Sequence, residues 1–383
     1  MSEKLYKIIL PCHFGLESVA KYEITKLGYN IDSVVDGEIK ILAKLSDIPI
    51  LNINLRTVER VLIELSNFKA LEFEDLYQGI LNTNIEDFIK INDKFIISKA
   101  NQDKFSKLHS SQSIQSIVKK AMVDRLMRVY NTDKLLENNT EFKFRVKFYK
   151  DICSLRLDTT GESLHKRGYR PVAGIAPIEE TLAAALILLT PFKSGRIFLD
   201  PFCGSGTFDI EAAMIAANIA PGIDRHFQSE IWTDLISKST WTNAFNNAKN
   251  SINFDYINES KINIYGYDID KNMIQISKEN ATKAGVDKLI HFETKSVDSI
   301  EIKRPYGFIV TNPPYGERMK NDELSKIYTD LKNTYNKLND WSMHVITSYP
   351  DARKYLGKED KNRKLYNGML KTYLYSYIGN YKK

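Results

Sequence analysis

Hydrophobic positions in the first sixty residues change from strand spacing to helix spacing and back. A short apolar strand is predicted at residues 7–10, and the apolar residues within 16–27 recur at helical intervals. The Asp36-Gly37 pair indicates a turn into a strand at 38–42, and another strand is predicted at 60–66. This succession of strand, helix, strand and strand predicts a small ferredoxin-like α+β unit.

The next region contains a strand in which apolar and cationic residues alternate. It follows a predicted strand at 94–98 and a predicted helix at 114–129. The apolar positions are Phe142, Phe144, Val146 and Phe148, and the cationic positions between them are Lys143, Arg145 and Lys147. A period of two places the apolar side chains on the core and the three cations on the opposite face. Such a face either protects the sheet from aggregation or meets a phosphate backbone, and the pattern alone fits both.

A change of composition near residue 161 indicates a domain boundary. Residues 161–174 are rich in glycine, proline and cations, and a strongly helical segment is predicted at 177–190. Short strands and helices then alternate, which predicts a mostly parallel, doubly wound sheet. The Asn367-Gly368 pair predicts a hairpin at the end. We therefore expect three parts: residues 1–60, 61–160 and 161–383.

Length and composition exclude several classes of protein. The longest uninterrupted apolar stretch, residues 182–189, is far shorter than the roughly 20 residues of a membrane-spanning helix. The first residues carry lysines within a short apolar run, which is not the pattern of a secretory signal. The three cysteines, Cys12, Cys153 and Cys203, are widely spaced, so we expect neither a disulfide framework nor a metal site, and a cytoplasmic location.

The charge of the chain is unevenly distributed. The formal net charge is +6, but residues 94–150 alone contain 13 Lys and Arg against 5 Asp and Glu. Such a block is typical of a polyanion-binding face, although lysine-rich surfaces also serve solubility.

A glycine-rich turn joins a predicted strand to a predicted helix within residues 196–208. Gly204 and Gly206 let the backbone approach a nucleotide-like ligand, although neither a third glycine nor a P-loop lysine is present. The following strand ends at Asp268, which is placed to accept both hydroxyls of a ribose. Asp298 follows the third strand, where it could meet an adenine amine. Together, these positions predict an adenosine pocket.

A later strand runs directly into Asn312, Pro313, Pro314 and Tyr315. Two prolines end the strand stiffly, so Asn312 lies at its carboxyl end, where ligands bind in open α/β sheets. The amide oxygen of Asn312 and the carbonyl of Pro313 could accept both hydrogens of a planar amine, exposing its nitrogen lone pair to an electrophilic methyl group. Tyr315 could stack on the ring that carries the amine.

These motifs resemble a known family. DPFCGSGT followed by NPPYGER resembles the class I S-adenosylmethionine-dependent methyltransferases of exocyclic or amide nitrogens. Together with LHKRGYR, APIEETLAAAL, APGIDR and GYDID, they resemble the THUMP-containing RNA guanine-N2 methyltransferases, including bacterial enzymes that act on large-subunit ribosomal RNA. The resemblance implies a Rossmann-like catalytic domain at 161–383, with S-adenosylmethionine as cofactor, after a ferredoxin-like subdomain at 1–60 and a THUMP domain at 61–160.

The resemblance also assigns roles to residues. The cofactor site would comprise Thr181, Asp200, Phe202, Gly204, Gly206, Thr207, Asp268, Ile269, Asp298 and Asn312. The target guanine would be presented by Asn312, Pro313, Pro314 and Tyr315. RNA contacts are expected at Lys143, Arg145, Lys147, Arg167, Tyr169 and Arg170.

Several alternatives share the same motifs. The substrate could be transfer RNA, and the Asn-Pro-Pro-Tyr loop also suits adenine-N6 or cytosine-N4 methylation of DNA, or glutamine methylation of a protein. From a different class, the chain could be a non-catalytic RNA-binding assembly factor with a degenerate cofactor pocket, although the intact glycine loop and Asn312 loop argue against such degeneration. We expect ribosomal RNA as the partner, and neither a membrane nor a metal.

Overall fold

The computed structural model describes residues 4–170, 178–259, 262–315, 321–368 and 370–379. Two seven-stranded sheets dominate these ranges. The first sheet comprises β1 (Tyr6–Pro11), β2 (Ile31–Val35), β3 (Glu38–Ala43), β4 (Leu62–Lys69), β5 (Lys94–Gln102), β6 (Glu141–Tyr149) and β7 (Ile152–Asp158). Its helices are α1 (Glu17–Lys26), α2 (Ile48–Asn54), α3 (Phe73–Leu81) and α4 (Ser111–Tyr130).

The first sheet is continuous across the two predicted N-terminal parts. Its strand order is β2-β3-β1-β4-β7-β6-β5, and the first four strands have the antiparallel arrangement of a ferredoxin-like fold. Strand β4 pairs with β1 on one side and with β7 on the other. The boundary expected at 60/61 therefore falls just before a strand that both parts share, and the domain limits remain predictions. Strand β2 was not predicted, because its residues lack a clear alternation.

The second sheet has the predicted doubly wound topology. It comprises β8 (Phe198–Asp200), β9 (Ile264–Asp268), β10 (Ile290–Thr294), β11 (Phe308–Thr311), β12 (Ser342–Thr347), β13 (Lys361–Asn367) and β14 (Leu370–Tyr377). The strand order is β10-β9-β8-β11-β12-β14-β13, in which β8 to β12 are parallel. Strand β14 runs antiparallel to β12 and forms the expected terminal hairpin with β13. The predicted fold class is confirmed.

Helices cover both faces of the second sheet. They are α5 (Glu180–Leu188), α6 (Thr207–Ala216), α8 (Phe254–Glu259), α9 (Lys271–Lys283), α10 (Asn321–Asn336) and α11 (Ala352–Leu356), whereas α7 (Lys238–Asn250) packs against α2 of the first sheet's domain. Two separate apolar cores result: one contains residues of α5, α6 and α9, and the other contains residues of α10 and α11. Within the described ranges, no helix is both long enough and apolar enough to cross a membrane.

The sequence indicates no function for residues 227–261, and the part from 227 to 250 fastens the second half of the chain to the first sheet. The Trp232 ring stacks on Phe142 of β6 with their centroids 4.8 Å apart. Its indole nitrogen donates to the carbonyl of Glu141 at 3.2 Å, and the hydroxyl of Ser229 donates to the carbonyl of Thr159 at 2.8 Å. This segment therefore acts as a structural strap.

Candidate active site

The two predicted loops meet at the centre of the second sheet. Strands β8 and β11 are neighbours there, and the strand order reverses between them, which is the point where open α/β sheets bind ligands. Asp200 is the last residue of β8, and Thr311 is the last residue of β11. The Thr311 hydroxyl donates to Asp200 Oδ1 at 2.5 Å, so the glycine loop and the Asn312 loop leave the sheet side by side.

The glycine loop needs its glycines. Gly206 has a φ of +82°, and a Cβ there would lie 3.0 Å from both Phe292 and Ser277. Gly204 also has a positive φ, of +49°. Because left-handed backbone is costly for other residues, this turn keeps its tight course only with glycine at both positions.

Asp268 at the end of β9 links the glycine loop to the next strand. Its Oδ2 accepts from the backbone nitrogen of Gly204 at 2.9 Å, and its Oδ1 accepts from that of Asp270 at 2.9 Å. Burial raises the pKa of Asp268, although these two hydrogen bonds oppose the effect. The adjacent Ile269 is 78% exposed, which leaves a bare apolar surface beside a carboxylate. This combination suits the ring and the ribose hydroxyls of an adenosine.

Two buried carboxyl groups, Asp200 and Asp209, lie behind the loop, and only Asp200 was predicted from the sequence. Asp200 accepts from Thr311 and from the backbone nitrogen of Phe202, whereas neither carboxyl oxygen of Asp209 in α6 has a hydrogen-bond partner among the described residues. Burial raises the pKa of both groups, and in Asp209 the neighbouring charge of Asp200 adds to the effect. Only its burial in the folded chain distinguishes Asp209 from an ordinary helix-start carboxylate.

The Asn312 loop presents an unused acceptor. The Asn312 Oδ1 is buried and has no hydrogen-bond partner among the described residues. Pro313 is buried next to it, and Pro314 and Tyr315 are half-buried. The remainder of the motif, residues 316–318, lies outside the described ranges. A buried amide oxygen without a partner costs about 1–3 kcal/mol, and at a strand end this oxygen is available to accept from a ligand donor.

The structure brings some predicted cofactor residues into other contacts. The Thr181 hydroxyl hydrogen-bonds to Glu59 and lies 3.1 Å from His13 Nε2, both of the first sheet's domain. The Thr207 hydroxyl accepts from the Arg170 guanidinium at 2.8 Å. Asp298 lies in a short 3-10 turn, where a hydrogen bond from Ser296 lowers its pKa. The cofactor roles of these three residues remain predictions.

The linker residues predicted to contact RNA are buried. Arg167 donates to the carbonyl of Arg56 at 2.6 Å and forms an ion pair with Glu211 of α6 at 3.4 Å. The Tyr169 hydroxyl also reaches Glu211, at 3.2 Å. Arg170 forms an ion pair with Glu180 at 3.0 Å. These side chains hold the linker against the catalytic half with polar groups that are already used, so their expected RNA contacts stay predictions and gain no support from this geometry.

The cations on the outer face of β6 are paired with carboxylates. Lys147 lies 2.8 Å from Glu38, Arg145 lies 3.7 Å from Asp158, and Lys143 lies 3.6 Å from Glu141. The predicted alternation along the strand is present, with the apolar residues buried. Because each charge already has a partner, their expected role in RNA binding stays a prediction and gains no support from this geometry.

One cluster has the chemistry of a metal site. Ligand atoms of His13, Glu59 and Glu179 lie within 4.8 Å of one another. Burial alone would raise the pKa of Glu59, but hydrogen bonds from His13 and His165 outweigh it and hold that pKa below its usual range. These residues come from both halves of the chain and satisfy one another, so we interpret the cluster as an ionic contact between domains.

Comparison with known families shows which protein family the chain and its central site belong to. Models of an RlmL ferredoxin-like domain and of a THUMP domain match residues 7–62 and 70–158, respectively. The model of the RMKL-like methyltransferase domain matches residues 167–376. The chain belongs to the RMKL-like methyltransferase family. The resemblance inferred from the motifs is therefore confirmed at the level of the family.

Individual relatives agree with this assignment. "Putative RNA methyltransferase YpsC" of Bacillus subtilis is 39% identical over 98% of this chain and 96% of its own length. Ribosomal RNA large subunit methyltransferase K/L of Psychromonas ingrahamii is 31% identical over 96% of this chain, but over only 49% of its own length.

Solved structures of similar chains are known. One, named SMU.472 and complexed with SAH, is 35% identical, has a TM-score of 0.92, and is matched over 100% of both chains. Another, a "predicted N6-adenine-specific DNA methylase" from Listeria monocytogenes, is 39% identical with a TM-score of 0.91, matched over 98% of this chain and 97% of its own.

The cofactor of this RMKL-like methyltransferase is S-adenosylmethionine, as predicted. The described residues fit it. The glycine turn leaves open space at Gly204, the carboxylate and apolar surface at Asp268 and Ile269 suit an adenosine, and the Asn312 oxygen lacks a donor. We propose that the residues around the ends of β8 and β9 bind the cofactor.

Proposed function

We propose that the protein transfers a methyl group from S-adenosylmethionine to the exocyclic N2 amine of a guanine in structured RNA, with 23S ribosomal RNA as the favoured substrate. The observation that carries this proposal is the buried Asn312 Oδ1 at the carboxyl end of β11, for which the described part of the chain supplies no hydrogen-bond partner. An acceptor held at this point is complementary to an amine hydrogen.

Residues of the loop would then do the positioning. The Asn312 oxygen and the Pro313 carbonyl each accept one hydrogen of the amine, which fixes the plane of the guanine and aims its nitrogen lone pair. Bound S-adenosylmethionine supplies an electrophilic methyl group. Tyr315 stacks on the purine and replaces the stacking energy that the base loses when it leaves the RNA.

No side chain is needed as a strong base in this scheme. The amine gains a methyl group and releases one proton, which solvent can take once the nitrogen has become cationic. Catalysis then comes from orientation and from acceptors arranged in advance at the carboxyl end of the sheet.

The choice of RNA rests on the N-terminal half. The THUMP match, the name of the Psychromonas relative and the basic block at 94–150 all favour an RNA substrate. The name of the Listeria structure favours adenine in DNA instead. The acceptor pair alone does not distinguish guanine N2 from adenine N6, so the experiment must identify the methylated nucleoside.

Nucleoside mass spectrometry of ribosomal and transfer RNA from a strain that lacks this gene tests the proposal. We expect N2-methylguanosine to decrease in the ribosomal RNA, and to return with the wild-type gene but not with Asn312→Ala. An unchanged N2-methylguanosine content in both RNA fractions would contradict the proposal. A loss confined to transfer RNA would move the substrate there.

A further inference from the structure

One end of the THUMP region forms an exposed tip, which we define as residues 103–107 and 149–152. The loop after β5 and the turn between β6 and β7 are tied together there. The backbone nitrogen of Lys107 donates to Asp151 Oδ1 at 2.7 Å, and that of Lys150 donates to Asp103 Oδ2 at 3.2 Å. The backbone nitrogen of Asp151 donates to the Ser106 hydroxyl at 3.1 Å. The tip is therefore a cross-braced surface built from two chain segments.

Large aromatic rings stand outward on this tip. Phe105 is 64% exposed, and Tyr149 is 50% exposed. The ammonium groups of Lys104 and Lys150 lie 5.0 Å and 5.2 Å from the centroids of these two rings, respectively. Exposed aromatic rings flanked by cations are the pairing that single-stranded nucleic acids meet in their binding proteins.

The cations of the tip differ from those on the β6 face. Lys104, Lys107 and Lys150 form no ion pair with any carboxylate in the described ranges, whereas Lys143 and Lys147 each have one. The two carboxylates of the tip are engaged with backbone donors of its own loops. A cation that forms no ion pair gains more binding free energy from a phosphate, because it loses no existing ion pair on binding.

We propose that the tip binds unpaired nucleotides of the substrate RNA, with bases stacked on Phe105 and Tyr149 and phosphates near the three lysines. This inference rests on the proposed RNA substrate and names a second contact with it. Strand β7 runs seven residues from the tip to the linker, a span of about 20 Å. Because the tip belongs to the THUMP region and not to the catalytic half, we infer that it contributes to affinity rather than to the chemical step.

The central test removes both rings together, in Phe105→Ala/Tyr149→Ala. The probe is a fluorescein-labelled 12-nucleotide single-stranded RNA, followed by fluorescence anisotropy. We expect binding to weaken about tenfold or more, since each stacked base contributes roughly 1–3 kcal/mol. Tyr22→Ala is the matched control, because Tyr22 is 63% exposed on α1, outside the tip, and its removal should leave binding unchanged.

Steady-state methylation separates affinity from chemistry. With an unmodified 23S ribosomal RNA transcript, the double variant should show a raised KM for RNA, an unchanged kcat and an unchanged affinity for S-adenosylmethionine. A lowered kcat with an unchanged KM would contradict the role of the tip. Thermal unfolding checks that both variants remain folded.

The lysines of the tip are tested through salt dependence. Replacing Lys104, Lys107 and Lys150 by glutamine should reduce the slope of log Kd against log salt by about 2, given roughly 0.7 per phosphate contact on a single strand. Lys21→Gln/Lys26→Gln, at exposed positions of α1 outside the tip, should leave the slope unchanged. If the triple variant keeps the wild-type slope, the tip lysines contact no phosphate and the inference is wrong.

Failure of the tip and failure of the proposed function give different results. If the wild-type protein methylates ribosomal RNA but the ring variant keeps the wild-type KM and probe affinity, the tip proposal is overturned and the proposed function stands. If the wild-type protein binds the probe through the tip but methylates no RNA, the proposed function is overturned. A wild-type protein that fails to bind the probe also overturns the tip proposal.

Discussion

The two seven-stranded sheets of this protein differ in whether the buried polar groups compared below have partners. In the first sheet, the buried carboxylate of Glu38 forms ion pairs with the guanidinium of Arg156, at 2.6 Å, and with the ammonium of Lys147. The carboxylate of Asp158 forms an ion pair with the guanidinium of Arg60 at 2.7 Å. In the second sheet, Asn312 Oδ1 at the carboxyl end of β11 is buried and has no donor among the described residues.

This difference separates stabilising polar groups from binding groups. Buried charges that satisfy one another hold neighbouring strands in register, and removing one partner leaves an uncompensated charge. A buried acceptor without a donor weakens the free protein by about 1–3 kcal/mol, so it persists where a ligand completes it. We expect substitutions in the first sheet to change stability, and those at the ends of β8, β9 and β11 to change binding and chemistry.

The largest expected effect is in the first sheet. Arg156→Ala leaves Glu38 buried without its bidentate partner, so the free energy of unfolding should fall by about 3–5 kcal/mol in urea titrations. Lys166→Ala, which removes an exposed pair with Glu162, should cost less than about 1 kcal/mol. If the free energy of unfolding fell equally in the two variants, the stabilising role assigned to the buried charges of the first sheet would be wrong.

Asn312→Ala should have the next largest effect. We expect methyl transfer to fall about 10²–10³-fold, because one prearranged group for the amine is lost. Calorimetry should show an affinity for S-adenosylmethionine within a few-fold of the wild type. Asn336→Ala, at the exposed end of α10, is the matched control and should remain fully active. An active Asn312→Ala enzyme would remove the assigned role.

Asp268→Ala should weaken cofactor binding by about 10- to 100-fold, because a charged acceptor for two ribose hydroxyls is lost. Isothermal titration calorimetry measures this directly, with the exposed Asp287→Ala as control. An unchanged dissociation constant would place the ribose elsewhere in the site.

A smaller effect is expected from the buried carboxyl of Asp209. Its pKa in the folded protein is raised by burial, so the folded state binds more protons than the unfolded state above about pH 4. Stability from this group is therefore lost as pH rises. Between about pH 5 and pH 8, calorimetric Tm should decline less in Asp209→Asn than in the wild type. Parallel declines would show that Asp209 does not titrate as described.

The sequence predicted those features that depend on local order along the chain. The strand ends at Asp200, Asp268 and Asn312 were found because loops at the carboxyl ends of parallel strands converge at one edge of the sheet. The alternation in β6 was also correct, since a pleated strand repeats every two residues.

Features that depend on distant partners were missed. Lys147 meets Glu38, a residue 109 positions away, and Arg167 meets Glu211, 44 positions away. No local pattern shows that a cation will be paired or buried by such a partner. The burial of the linker arginines and the contacts of Trp232 were therefore not predicted.

The decisive experiment is mass spectrometry of nucleosides from unmodified 23S ribosomal RNA after incubation with purified protein and S-adenosylmethionine. The acceptors at Asn312 and Pro313, together with the THUMP domain of the N-terminal half, predict newly formed N2-methylguanosine with the wild-type protein and none with Asn312→Ala. Formation of N6-methyladenosine, or of N2-methylguanosine by both proteins, would show that the proposed function is wrong.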